Sequence, residues 1–358
     1  MRAVGNALNR AGLRAVYLVH GTFAGTDLTG ILTELGRWLP SVRESLNQWT
    51  KQLVDSLTGD HGNFTAEYAE LFQQSIYSPD RPRIPVRLFN WSSENHHLGR
   101  ADGAVRLLHR LATLPEEDGP VLLWGHSHAG NVFALLTNLL AGDAESRERF
   151  FAAARSFYRV PVLGITDLPH WPQVCQWLEN GAARRTNRPL DIVTFGTPIR
   201  YGWDTAGYRQ LLHFVNHHPR PGTPEYLTTF PPAADDVLGA RGGDYIQQIG
   251  IAGSNTMPHL LFWRAWLADR RLHALLEPDL KRRRYVQRLA TCQRVPAEGT
   301  TLLVDYPRAA EHVARHMAGH AVYTRRDWLL FHAEEVAARF YEAGGPHAEA
   351  QRPQREGE

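Results

Sequence analysis

The sequence predicts an α/β architecture, a mostly parallel sheet with helices on both faces. Short runs rich in Val, Leu, Ile and Phe recur at 15–20, 84–91, 120–124, 190–196, 210–216 and 301–306, with longer stretches between them. Apolar residues on both sides of such runs are what strands covered by two layers of helix require. A second observation is more local. The run ValLeuLeuTrp at 121–124 ends abruptly in GlyHisSerHisAlaGly at 125–130 and continues as AsnValPheAlaLeuLeuThrAsnLeuLeu, which reads as strand, sharp turn and helix.

Taken in order, the N-terminal MetArgAlaValGlyAsnAlaLeuAsnArg lacks an apolar signal core, and AlaValTyrLeuVal at 15–19 is a strand too short to export or span. The cytoplasm is the expected location, with signal-independent secretion as the other route. Residues 100–113 carry apolar side chains at helical spacing, and 326–341 form a second amphipathic helix that closes the fold. Two stretches, 143–188 and 219–300, break the alternation and read as insertions that cap or wall a site. The organisation is one domain over 1–341, with a tail at 342–358, rich in Gly, Pro, Gln and Glu, expected to be disordered.

Composition excludes some functions. A net charge of +2 supplies no whole-protein field to recruit nucleic acid. Cys175 and Cys292, the only cysteines, are far apart, which fits a reducing compartment and leaves no metal–thiolate site. His312 and His316 are spaced for one helical face, but HisValAlaArgHis lacks the glutamate of a zinc-protease motif and no third ligand is evident. No metal and no cofactor is expected.

The turn at 125–130 points to nucleophilic catalysis. A serine on a strained strand-to-helix corner stands exposed above a sheet, and positions 125, 129 and 130 must be small because strand and helix nearly touch there. An activated Ser127 then needs oxyanion donors, a base and an orienting acid. After the first strand the chain reads His20, Gly21, Thr22, Phe23, so the Thr22 N–H, with Phe23 as the alternative, pairs with the His128 N–H as donors. The base belongs in the last loop before the final helix, which selects His320 over His126 and His128, since a sharp elbow turns adjacent side chains away. Asp305, at the end of the last strand, is the expected acid. Asp236, Asp244 and Asp235 are alternatives if the strand at 210–216 carries the acid loop, and Asp204 is a more remote alternative.

Four segments in this order, ValHisGlyThrPhe at 19–23, GlyHisSerHisAlaGly at 125–130, ThrPheGlyThrPro at 194–198 and GlyHisAlaValTyr at 319–323, resemble the α/β-hydrolase superfamily of serine esterases and lipases. The last, with Asp305 upstream, is similar to the acid–loop–histidine ending of cutinases. Two departures stand out: Ala129 replaces the commoner Gly, and no carboxylate directly follows the 210–217 strand. The resemblance implies hydrolysis of a carboxylic ester through an acyl-enzyme on Ser127, with an ester or lipid as the partner molecule. His20, Trp91 and His126 are expected against the substrate, joined by Trp171, Trp177, Trp203 and Trp266 if these line the insertions rather than the core. The run Lys281, Arg282, Arg283, Arg284 reads as a solvated helix face or a transient contact with anionic membrane. The alternatives are a phospholipid-degrading effector or toxin and a non-catalytic binding protein on the same fold.

Overall fold

The computed structural model describes residues 2–22, 63–114, 119–159, 168–180, 188–219, 221–222, 236, 239–253, 255–258, 262–279, 284, 287–288, 294–307 and 317–342. Phe23, Asp235, Lys281, Arg282, Arg283, Cys292, His312, His316 and the tail beyond Glu342 lie outside them.

Six strands form one all-parallel sheet: β1 (Ala15–Val19), β2 (Val86–Phe89), β3 (Val121–His126), β4 (Leu190–Phe195), β5 (Gln210–Asn216) and β6 (Thr300–Val304), in the order β2-β1-β3-β4-β5-β6. The predicted strands fall on these six, with ends moved by a few residues. Strand order reverses between β1 and β3, and the crevice at the carboxyl ends of such a switch point is where open α/β sheets take ligands. His20 and Gly21 leave β1 there, and Ser127 leaves β3 beside them.

The period-two alternation of the strands divides their side chains between two cores. Tyr17, Val19, Val121, Leu123, Leu190 and Ile192 face one side, where α3 (His97–Ala112) and α4 (Ala129–Ala141) pack with α5 (Ala144–Tyr158), α6 (His170–Glu179) and α8 (Trp263–Leu276). Val16, Leu18, Leu122, Trp124, Val193, Phe195 and Phe214 face the other, against α1 (Arg2–Arg10), α2 (Ala66–Ser75) and α9 (Leu329–Phe340). The helix read at 100–113 starts earlier, at His97, because the His96 side chain accepts the Gly99 N–H and caps it. A short helix, α7 (Tyr245–Ala252), follows Asp244, whose carboxylate caps it through the Gln247 N–H.

The stretch 143–188 contributes α5 and α6, and 219–300 contributes α7 and α8. Trp171 is buried among Phe150, Phe151, Phe157 and Tyr158 and donates its indole N–H to Asp102. Trp203 packs on His213 and Tyr208 within the same core, while Trp177 stacks on His109 and Trp266 lies under Arg270. Trp171 and Trp203 are packing residues, since an aromatic ring gains most where it is surrounded.

Candidate active site

Ser127 joins β3 to α4 with φ +56°, a left-handed backbone that a residue with a Cβ adopts at a cost of about 1–3 kcal/mol. Three hydrogen bonds hold it. The Ser127 N–H donates to the Phe195 carbonyl (2.8 Å), and the Ser127 carbonyl accepts from the Thr197 hydroxyl (2.9 Å) and the Gly130 N–H (3.1 Å). The segment ThrPheGlyThrPro after β4 therefore works as the buttress of the turn. The expected smallness is met sterically: a Cβ on Gly125 would meet the Phe133 ring at 2.4 Å, and one on Gly130 would meet Thr197 Oγ1 at 2.2 Å. On the β1 side, a Cβ on Gly21 would meet Ser127 Cβ at 2.6 Å and Oγ at 3.2 Å. The main chain leading into Thr22 thus presses directly on the serine.

His320 lies at the same end of the sheet, buried, with its ring centroid 4.5 Å from that of His126. Its Nδ1 donates to Asp244 Oδ2 at 2.7 Å, and the Tyr323 hydroxyl donates to the same oxygen at 3.1 Å. Asp244 Oδ1 is taken by the Gln247 N–H at 2.8 Å. Burial alone would raise the Asp244 pKa. The positive charge and hydrogen bond of His320, the Gln247 N–H and the charge of Arg294 outweigh it and hold the carboxyl below its ordinary value.

The expectation that Asp305 orients His320 is not met. Asp305 is 68% exposed just beyond β6, where it pairs with His218. Asp244 reaches the imidazole because the chain after β5 returns onto the strand end. The Asp244 N–H donates to the Asn216 carbonyl (3.0 Å), and Gly243 lies at φ +97° with that carbonyl oxygen 2.1 Å from where a Cβ would stand. Buried Arg294 clamps this return by donating to the carbonyls of Asn216, Gly242 and Asp244. Asp236 is ion-paired with Arg241, and Asp204 caps a single turn at 205–207.

The three residues expected against the substrate are buried and brace the scaffold. His20 Nδ1 donates to the Gly21 carbonyl, its Nε2 accepts the Trp91 N–H, and its carbonyl accepts the Trp91 indole N–H. His126 Nε2 donates to the His320 carbonyl at 3.1 Å, so this neighbour of the serine positions the distant histidine. Sequence reasoning missed Tyr323 and Arg294, although Tyr323 stands in the GlyHisAlaValTyr segment.

A second polar cluster sits beside the turn. Arg200 grips Glu277 with Nε and Nη2, Arg288 adds a bond to Glu277 Oε1, and Arg100 donates to Tyr201, Asn95 and Asn255. Here His97, His273 and Glu277 bring ligand atoms within 4.8 Å of one another, a spacing a metal ion can use. The guanidinium groups around Glu277 oppose a divalent cation, and the Asn255 amide already donates to His97 Nε2 at 2.9 Å. A cavity of about 580 Å³ lined by Arg147, Phe151, Arg155, Arg159 and Cys175 lies apart from both clusters, between α5 and α6.

Comparison of the chain with protein-family models, with curated proteins and with solved structures returns no match.

Proposed function

We propose that the protein is a serine hydrolase of the α/β-hydrolase type that cleaves carboxylic esters. Ser127 attacks the ester carbonyl while His320 Nε2 takes its proton. Asp244 holds the imidazole through Nδ1 and stabilises the imidazolium. The oxyanion rests on the N–H groups of Thr22 and His128, each such donor being worth about 3 kcal/mol in the transition state. Water then resolves the acyl-enzyme with His320 as base. The observation that carries the reading is the strained backbone of Ser127 at the switch point of the sheet, pinned from β4 and pressed by Gly21, a conformation that costs energy.

Labelling with a fluorophosphonate probe tests it. Wild-type protein is expected to react and Ser127→Ala to be silent; equal labelling of both, or none in the wild type, rejects the reading. A lipid-like ester is favoured by four exposed apolar side chains in the segment after Asp244, Ile246, Ile249, Met257 and Trp263. Among the described residues no helix is long and apolar enough to cross a membrane. A phospholipid-degrading effector is the second reading, and phospholipid vesicles as substrate separate it from an esterase of small soluble esters.

A further inference from the structure

The residue after the serine has a side chain that the acyl-transfer mechanism does not use. His128 is 3% exposed, at the start of α4. Its protonation pattern follows from its neighbour. Asn131 Oδ1 accepts the Arg200 N–H (3.1 Å), which fixes the amide so that Nδ2 donates to the Pro198 carbonyl (2.8 Å) and to His128 Nδ1 (3.0 Å). Nδ1 is therefore an acceptor, and the proton of the neutral ring sits on Nε2. Among the described residues no acceptor for that Nε2–H is present; it lies 3.8 Å from where a Cβ of Gly250 would be.

The surroundings of this donor are short of negative charge. The Gly250 carbonyl accepts from Arg200 Nη1 at 3.4 Å, so the guanidinium and the imidazole both approach that glycine. Arg200 and Arg100 share the Asn255 Oδ1 at 3.2 and 2.9 Å. Arg200 shares the carboxylate of Glu277 with Arg288, while 0%-exposed Arg100 has, among the described residues, only the neutral partners Tyr201, Asn95 and Asn255. The other carboxylates of this region are Glu94 and Asp269, which face His96, and Asp244, which is taken by His320. Burial, and then the charges of Arg100, Arg200 and His320, hold the His128 pKa well below the ordinary imidazole value, and the bond from Asn131 sets its tautomer. A fixed donor in a field of surplus positive charge is complementary to an oxygen that carries negative charge.

We propose that the His128 side chain is a specificity-determining donor, presenting Nε2–H to an anionic oxygen, phosphate or carboxylate, on the ester that Ser127 attacks. The inference rests on the hydrolase reading above and adds the class of substrate. Arg100 and Arg200 act at longer range, by supplying the potential in which that oxygen is held.

Three matched esters test it on the full-length protein: a neutral acyl ester, the same chain ending in a carboxylate, and the same chain bearing a phosphate. At least one anionic ester is expected to exceed the neutral one in kcat/KM by about tenfold, the low end for a hydrogen bond to a charged group. The better arm tells phosphate from carboxylate. In His128→Phe the ratio is expected to collapse to within about twofold of unity, whereas His128→Gln, whose amide still donates, keeps part of it. Arg100→Gln lowers the same ratio and serves as the decisive variant, with His128→Gln, if His128→Phe does not melt cooperatively. A wild-type ratio at or below unity for both anionic esters, or a ratio untouched by these variants, overturns the proposal while fluorophosphonate labelling of Ser127 stands. Loss of labelling as well removes the hydrolase reading and this inference with it.

Discussion

Replacing Asp244 with Asn separates the two carboxylates that the sequence offers His320. The Asp244→Asn variant keeps the helix cap, because the amide oxygen can still accept the Gln247 N–H that the carboxylate holds at 2.8 Å, so the fold is expected to survive. The other end of the side chain turns from acceptor to donor. An amide NH₂ placed where Oδ2 accepts from Nδ1 at 2.7 Å pushes the imidazole proton to Nε2, the wrong tautomer for a base. The lost charge matters too. Both partners are buried, and at an effective dielectric of about 20 and a charge separation of about 4 Å the carboxylate stabilises the imidazolium by about 4 kcal/mol. Together with the tautomer fault this predicts, under the proposed function, a fall in kcat of about 10⁴, the size seen when the triad acid of a serine hydrolase becomes an amide. Asp305 is exposed and its pairing with His218 is worth about 1 kcal/mol at most, so Asp305→Asn is expected to stay within about twofold of wild type. The assay is kcat on a soluble chromogenic ester for both variants, with thermal melting as the control for folding. A deep loss in Asp305→Asn with Asp244→Asn near wild type refutes the reasoning.

Two further outcomes follow from the geometry. Gly21→Ala brings a methyl to 2.6 Å from Ser127 Cβ and 3.2 Å from the His126 carbonyl oxygen. Displacing the proposed nucleophile on that scale predicts a loss of at least about 10² in kcat with the melting temperature little changed, and unchanged kcat refutes it. Acid is expected to destabilise the fold well above the carboxylate range. Burial holds His213 at about 4 and His332 at about 3, below the 6.5 of an ordinary imidazole, so the unfolded chain binds protons first as pH falls. Stability therefore declines from about pH 6.5 downward, by about 1.4 kcal/mol for each pH unit and each histidine until its folded value is reached. Asp244, whose value is lowered, keeps its contribution above the ordinary carboxyl range and loses it only at more acidic pH. Melting temperature measured from pH 7.5 to 4 checks this: a flat profile contradicts it, and His332→Gln is expected to reduce the slope.

The strands were legible because burial on both faces leaves uninterrupted apolar runs, as in ValLeuLeuTrp and LeuAspIleValThrPhe. The serine turn was legible because steric crowding at 125 and 130 admits only glycine there. The partner of His320 was not. Chain order allows any carboxylate between Ser127 and His320, and the choice is made by a backbone return onto the end of β5 that leaves little trace in composition. One trace exists: GlyGlyAsp followed by TyrIleGlnGlnIle is a helix start with an Asp cap, and a capping carboxylate is an anchored one. The arginine cluster was hidden for another reason. Arg100 and Arg200 look like surface residues in sequence, and only their mutual approach around Asn255 shows that they are buried.

The return of the chain after β5 has a consequence for how this protein can change. Asp244, Gly250, Asn255 and Glu277 all belong to the one stretch between β5 and β6, whereas α5 and α6, built from 143–188, touch neither His320 nor His128 through any of these bonds. The segment that carries Gly250, Asn255 and Glu277 beside the serine turn also supplies the partner of the His320 imidazole. Under the proposed function, exchanging that segment to alter what is accepted would therefore change the machinery along with the preference, and it would also remove α8, against which α5 packs.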